Sequence, residues 1–166
     1  MAPDGNQRNL ARGEVRPYSV LRLDFLVLLV PQHDVRTLEP AADVDMAEPP
    51  QNGVGWIHLG NQRYPVFCFS EQLKRLDEVP ATRRICAVLA AGEGAFGLLC
   101  SDVSLLRLPD VRLSPMPEAM ILPGRPIQGL VLHEDRVMCL SSAARLIAHA
   151  RAGAEEPHER AVEGKT

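Results

Sequence analysis

Two stretches of the sequence follow the same pattern: residues 55–73 read GWIHLGNQRYPVFCFSEQL and residues 129–146 read GLVLHEDRVMCLSSAARL. In each, an apolar run reaches a polar tip, a second apolar run returns, and a serine follows. Two apolar runs around a short polar tip are typical of a β-hairpin, and a serine at that place is typical of a helix N-cap. With residues 66–70 aligned on residues 137–141, the sequence predicts two related units, each a hairpin followed by a short helix.

One such unit buries too little apolar surface to be stable alone. Two related units can bury their exposed faces against each other. We therefore predict a mainly β protein made of two small barrels packed together, with short helices after Ser70 and after Ser141 or Ser142.

The rest of the chain supplies further strands. Residues 18–23 alternate between polar and apolar, which indicates a strand with one wet face, and residues 25–30 are continuously apolar, which suits a strand buried on both faces. Residues 85–91 and 95–100 predict a further hairpin around a glycine turn. Pro65 cannot donate a backbone hydrogen bond, so we expect its strand to lie at a sheet edge there.

Composition limits the class of protein. The 166 residues carry a net charge of −3, and Lys and Arg are scattered, which argues against a nucleic-acid binder. We expect a flexible arm over 1–16, one domain over 17–150 and a flexible tail over 151–166. No apolar run approaches the length of a membrane span, and residues 1–15 lack the apolar centre of a secretory signal, so we expect a cytoplasmic protein.

Three stretches, in this order and spacing, resemble the CheW family of coupling proteins of bacterial chemosensory arrays. The family pattern G-V-I-N-L-R-G-x-V-L-P-V-x-D-L corresponds to residues 55–69, GWIHLGNQRYPVFCF. A second pattern, G-L-L-V-D-x-V, corresponds to residues 97–103, GLLCSDV. A third, G-x-x-x-x-D-G-x-x-x-x-L-D, corresponds to residues 129–141, and the resemblance covers about 18–148.

The resemblance implies two five-stranded SH3-like barrels around a common core, without catalytic activity, cofactor or metal. It implies a scaffold that couples the cytoplasmic tip of a methyl-accepting chemoreceptor to the regulatory domain of a CheA-type histidine kinase. The receptor tip would lie in an apolar groove between the barrels, near Gln32, Val35, Arg36, Val103 and Leu106. For Val35, Val103 and Leu106, a core position is an equally good interpretation.

Several polar residues of the family pattern are replaced here. Gly60 stands in place of the arginine, and Cys68, Ser101 and Ser141 stand in place of aspartates. These departures are typical of a divergent member. They keep open an alternative, in which the chain is a regulatory protein-binding module of the same fold with other partners.

An enzymatic interpretation finds little support in the sequence. The four cysteines lie in apolar runs without a C-x-x-C pair, which is typical of buried thiols in a reducing compartment. A Cys68 nucleophile with His58 as base would be a hydrolase dyad, although a core cysteine is the simpler interpretation. Asp43 and Asp45 offer alternate acids for a cation, although a solvated loop explains them as well. Trp56, the only tryptophan, is either an interface anchor or part of the core.

Overall fold

The computed structural model describes residues 15–92 and 94–152. This part of the chain forms ten strands and one α-helix. They are β1 (Arg16–Leu23), β2 (Leu26–Pro31), β3 (Val35–Pro40), β4 (Gly55–Leu59), β5 (Gln62–Phe67), β6 (Ile85–Ala91), β7 (Gly94–Cys100), β8 (Asp102–Leu108), β9 (Gly129–His133), β10 (Arg136–Leu140) and α1 (Ala143–Ala152). The predicted arm and tail lie almost entirely outside the described residues, so the domain boundaries stay a prediction.

The strands form two five-stranded sheets with one common topology. Their orders are β8-β1-β2-β10-β9 and β3-β6-β7-β5-β4. Along each order the successive pairings are antiparallel, antiparallel, parallel and antiparallel. The chain leaves the first sheet after β2, builds the whole second sheet, and returns with β8. The predicted mainly β fold with two five-stranded units is confirmed.

Each sheet curls until its two edges meet. Beyond β3, Asp45 forms two backbone hydrogen bonds of 2.8 and 2.9 Å with Trp56 of β4, the opposite edge of the second sheet. Beyond β8, Ser114 forms two such bonds, of 2.8 and 2.9 Å, with Leu130 of β9. We call the closed first sheet barrel I and the closed second sheet barrel II.

A glycine stands at both closures, where a side chain would clash at Gly55 and would be tightly packed at Gly129. A Cβ on Gly55 would lie 2.4 Å from the Asp45 carbonyl oxygen, and one on Gly129 would lie 3.2 Å from Leu113. These are the glycines that open the two quoted stretches. The repeated pattern in the sequence thus marks the strand that closes each barrel.

The strand registers correct the predicted alignment of the two units. Gly55 pairs with Val66 in barrel II, and Gly129 pairs with Leu140 in barrel I. Val66 therefore corresponds to Leu140 and not to Val137, three residues earlier. The capping serine Ser142 corresponds to Cys68, so Cys68 and Cys139 are not equivalent.

Only one of the two predicted helices forms. In α1, the Ser142 hydroxyl accepts from the Arg145 N–H at 3.2 Å, and Asp34 accepts from the Ala143 N–H at 2.8 Å, which caps the helix twice. The helix predicted after Ser70 is wrong.

Residues 70–76 form a tight turn instead. The Ser70 hydroxyl accepts from both the Gln72 and Lys74 N–H groups at 3.2 Å, and Leu73 takes a positive φ of 59°. This φ allows the side chain of Leu73 to be buried in the core, and a helix at this place would not. The Leu73 carbonyl accepts from His149 of α1 at 2.6 Å, so the turn is fastened to the helix.

The prediction for Pro65 is right only locally. Strand β5 lies between β4 and β7, so it is not an edge strand. However, the backbone N–H and C=O of Trp56 both pair with Asp45, which makes Trp56–Pro65 a pair without mutual hydrogen bonds. Pairing between β5 and β7 begins only at Val66, so the missing donor of Pro65 leaves no ladder bond unmade.

Two hairpins, β1–β2 and β6–β7, are buried on both faces. In barrel I, Val20 and Leu29 fill the barrel interior, while the alternate residues Leu21, Leu23 and Leu28 face the other barrel. In barrel II, Cys86, Val88 and Leu99 fill the interior, while Leu89, Phe96 and Leu98 face barrel I. These outward faces and one face of α1 form a single shared core.

One buried ion pair joins the barrels. Asp24, in the β1–β2 turn of barrel I, accepts from Arg83 of barrel II at 3.1 Å and from the Thr82 hydroxyl at 2.6 Å. The Arg83 side chain is 1% exposed and that of Asp24 is 26% exposed. The Thr82 hydroxyl, and then the Arg83 guanidinium, hold the pKa of Asp24 below its ordinary value of 3.8 against the opposing effect of burial.

The first prediction concerns this pair. Asp24→Asn keeps a residue that tolerates the positive φ of 60° at this position but removes the charge, so Arg83 is left buried without a counter-ion. We expect the free energy of unfolding, measured in urea at neutral pH, to fall by about 3 kcal/mol. As a control, Asp102→Asn removes the exposed partner of Arg22, 3.9 Å away, and should cost less than about 1 kcal/mol.

The same pair sets a pH dependence. Because the pKa of Asp24 is lowered in the folded state, its stabilising effect is complete above pH 3.8 and is lost as the pH falls through the folded value. The difference in stability between the wild type and Asp24→Asn should therefore shrink below pH 3.8. A difference that stays constant through this range contradicts the assignment.

The second prediction concerns the shared core. Leu89 is fully buried in it, so Leu89→Ala should lower the free energy of unfolding by about 3 kcal/mol. Because both barrels contact this core, Trp56 fluorescence in barrel II and amide exchange of β9–β10 in barrel I should report the same loss. Separate transitions for the two probes would show that the barrels fold independently.

Candidate partner-binding surface

A surface groove lies where the chain crosses from barrel I to barrel II. Its volume is about 560 Å³. It is lined by Arg16, Pro17 and Tyr18 at the start of β1, by Pro31 at the end of β2, and by Gln32, His33 and Val35 at the crossing. Most of this lining is apolar, and Arg16 is its exposed cation. We call it the seam groove.

Local structure fixes the crossing itself. Residues Gln32–Asp34 form one turn of 3-10 helix after Pro31. Asp34 lies 3.3 Å from the His33 ring and also accepts the Ala143 N–H of α1. The wall of the seam groove that Gln32 and His33 supply is thus anchored on the helix that packs against the shared core.

Strand β8 extends the apolar surface beside the groove. Leu105 lies opposite Ser19 and is 65% exposed, and Arg107 lies opposite Pro17 of the groove. Because Pro17 and Ser19 are two residues apart on β1, Leu105 and the groove share one face of the sheet. Val103 is on this face too, opposite Leu21, where barrel II half-buries it against the shared core.

Of the five predicted groove residues, the structure places two in the seam groove and three elsewhere. Gln32 and Val35 line the seam groove. Leu106 lies opposite Tyr18 and packs with it at the interior of barrel I, and Val103 packs on the shared core. Arg36 points to β5, where its guanidinium donates to the Tyr64 hydroxyl at 3.3 Å.

The sequence did not predict that Pro17, Tyr18 and Leu105 lie at this surface. The signal for Leu105 was the alternation in residues 102–108, DVSLLRL, which puts Leu106 and Leu108 on one face and Val103 and Leu105 on the other. Which of the two faces is exposed depends on which residues of β8 barrel II covers. The local sequence does not determine this.

A second exposed apolar pair lies on barrel I. Leu132 of β9 and Val137 of β10 are cross-strand partners, 69% and 56% exposed. The equivalent pair in barrel II is His58 and Arg63. Since the same position in the same topology carries polar side chains, the fold does not require apolar residues here. We call Leu132 and Val137 the barrel I outer pair.

Trp56 is half-buried on the outside of barrel II. Its indole N–H donates to the Glu48 carbonyl at 2.8 Å, and the Arg63 guanidinium lies 3.9 Å from the ring centre. The ring thus fastens the acidic loop before β4 to the barrel. This position agrees with a structural role in the barrel wall.

The four thiols are all free and buried. Burial raises the pKa of each, that of Cys86 to about 12. His58 is exposed on the outer face of β4, whereas Cys68 is fully buried and lies 3.6 Å from Arg83, so the structure does not bring His58 and Cys68 together as a dyad.

The acidic loop shows no built cation site. Asp45 accepts from the Ala47 N–H at 3.0 Å, and Asp43 is exposed in a 3-10 turn. Within residues 15–92 and 94–152, no three His, Cys, Asp or Glu side chains are grouped closely enough to hold a metal ion. In the same ranges, no helix has the length and apolar character needed to cross a membrane.

Comparison with known proteins finds similar solved structures but no matching sequence. The fold is similar to the crystal structure of the scaffolding protein TtCheW from Thermoanaerobacter tengcongensis, with a TM-score of 0.62 and 15% identity over 77% of this chain and 89% of that one. No family model and no curated protein matches the sequence. The chain has a CheW-like fold.

The structure explains one departure from the family pattern. Cys68, which stands where the pattern has aspartate, lies against Arg83, and Asp24 supplies the carboxylate that Arg83 requires. The other notable change, Gly60, occupies an exposed turn with a φ of 62° and open space around it. Cys68 in place of an aspartate therefore leaves no unpaired charge at Arg83 in the core.

The third prediction follows from the burial of the thiols. Iodoacetamide at neutral pH should alkylate all four slowly, at a rate limited by unfolding, because only the thiolate reacts and burial disfavours it. Mass spectrometry of the intact protein gives the number of labels over time. Fast, stoichiometric labelling of Cys68 in the folded protein would restore the nucleophile hypothesis.

Proposed function

We propose that this protein is a non-enzymatic cytoplasmic scaffold that couples chemoreceptors to a CheA-type histidine kinase. The observation that carries the proposal is the two-barrel topology, with an apolar groove at the crossing between the barrels. Two further features support it. The fold is similar to that of a scaffolding protein, and Cys68, the candidate nucleophile, is buried.

The seam groove is the proposed site for the receptor tip. It has apolar walls from both barrels, and Leu105 extends it along β8. A helical hairpin presents apolar side chains on one face, which is the shape and chemistry that such a groove accepts. Gln32 and Val35 would contact the helix.

The barrel I outer pair is the proposed contact for the kinase regulatory domain. Leu132 and Val137 give an apolar centre, and His133, Glu134 and Arg136 give a polar rim. This arrangement separates the two partners on different faces, so one scaffold molecule can hold both. We expect micromolar affinities, which let array contacts exchange.

The fourth prediction tests the two surfaces separately. Gln32→Arg with Leu105→Ser should weaken binding of a receptor cytoplasmic fragment about tenfold and leave binding of the kinase regulatory domain unchanged. Leu132→Ser with Val137→Ser should do the reverse. All four side chains are exposed, so the folding transition should not move.

Leu38→Ser is the matched control for both titrations. Leu38 is a 47% exposed apolar residue on β3 and lies outside both surfaces. If neither double variant changes either affinity relative to this control, the placement of both partners is wrong.

A second candidate function is a regulatory module of the same fold with other partners. Gly60 favours it, because the exposed turn lacks the arginine of the family pattern and presents no side chain. Absence of binding to any receptor fragment or kinase regulatory domain, with a different partner crosslinked through Leu105 or Leu132 positions, would support this candidate over the first.

A further inference from the structure

A cavity of about 260 Å³ lies between α1 and the connection from β8 to β9. It is far along the chain from the residues of the seam groove and uses none of them. No residue of either proposed partner surface lines this cavity.

Apolar side chains form about half of the cavity wall. Met116, Leu122 and Ile127 come from the connection and pack against the shared core, and Ile121, 40% exposed, lies at the mouth. Apolar walls with a few polar groups at one place are typical of sites for small organic ligands. The volume equals about nine water-sized groups.

Two guanidinium groups supply the polar part, Arg125 from the connection and Arg145 from the first turn of α1. None of the ion pairs found in residues 15–92 and 94–152 involves either of them. Arg75 provides the internal contrast. It too lies against the connection before its barrel's closing strand, where it donates to Asn52, but Asp77 lies 3.7 Å from it as a counter-ion.

The backbone holds Arg125 in an unfavourable conformation. Its φ is 48°, directly after Gly124 with a φ of 78°. The Arg125 carbonyl accepts from Arg145 at 2.9 Å, and its N–H donates to the Leu122 carbonyl at 3.0 Å. These two hydrogen bonds fix the backbone at Arg125.

We propose that this cavity binds a small organic carboxylate with an apolar body of about eight to ten carbons. The carboxylate would lie between the guanidinium groups of Arg125 and Arg145, which offer the paired donors that carboxylates accept. The apolar body would lie against Met116, Leu122 and Ile127. The carboxylate thus matches the two guanidinium groups, and the apolar body matches the apolar part of the wall.

Octanoate is the probe, titrated into the full chain by calorimetry and by NMR of the methionine methyl groups. We expect saturable binding at millimolar concentration or below, with shifts at Met116. Octanol, which has the same chain without the charge, should bind at least about tenfold more weakly, because a charge-assisted hydrogen bond is lost. Equal affinities for octanoate and octanol, or no saturation by octanoate, would overturn the proposal.

Arg125→Gly is the decisive variant. Glycine accepts the positive φ, so this substitution removes a guanidinium and relieves strain, and the protein should remain folded. Octanoate affinity should fall about tenfold. Arg75→Ala, which removes an arginine of barrel II that has a counter-ion, should leave octanoate affinity unchanged. Unchanged affinity in Arg125→Gly, or an equal loss in Arg75→Ala, would contradict the assigned site.

Discussion

The fold depends on two hairpins that are apolar on both faces. In β1–β2 and in β6–β7, alternate side chains fill the interior of their own barrel, and the remaining ones meet across the shared core. Neither hairpin can expose its second face without losing the burial of residues such as Leu21 and Leu98. This double burial joins the two barrels through the shared core.

The polar contacts across the shared core are few and fully paired. Asp24 and Arg83 join the hairpin turn of one barrel to the segment before β6 of the other, and Arg83 also reaches the Leu99 carbonyl at 3.4 Å. In the part of the chain that the structure describes, no buried side-chain nitrogen or oxygen lacks a partner. A neutral Cys68 beside Arg83 is therefore tolerated, because the Asp24 carboxylate occupies the same network.

The duplication allows each surface to be compared with its counterpart. The barrel I outer pair, Leu132 and Val137, faces solvent where barrel II has His58 and Arg63. Because the two barrels share one topology, such a difference marks positions where one barrel carries apolar side chains that the fold does not require.

The sequence by itself determined most of the strands, the hairpins and the number of units. Alternation, continuous apolar runs and glycine turns are local signals, and the glycines at 55 and 129 mark strands that close their barrels. Only the tertiary structure decided the rest: the turn in place of a helix after Ser70, the three-residue correction between the units, and the exposure of Leu105 instead of Leu106. Each of these depends on what packs against the segment from a distant part of the chain, and no local pattern records that contact.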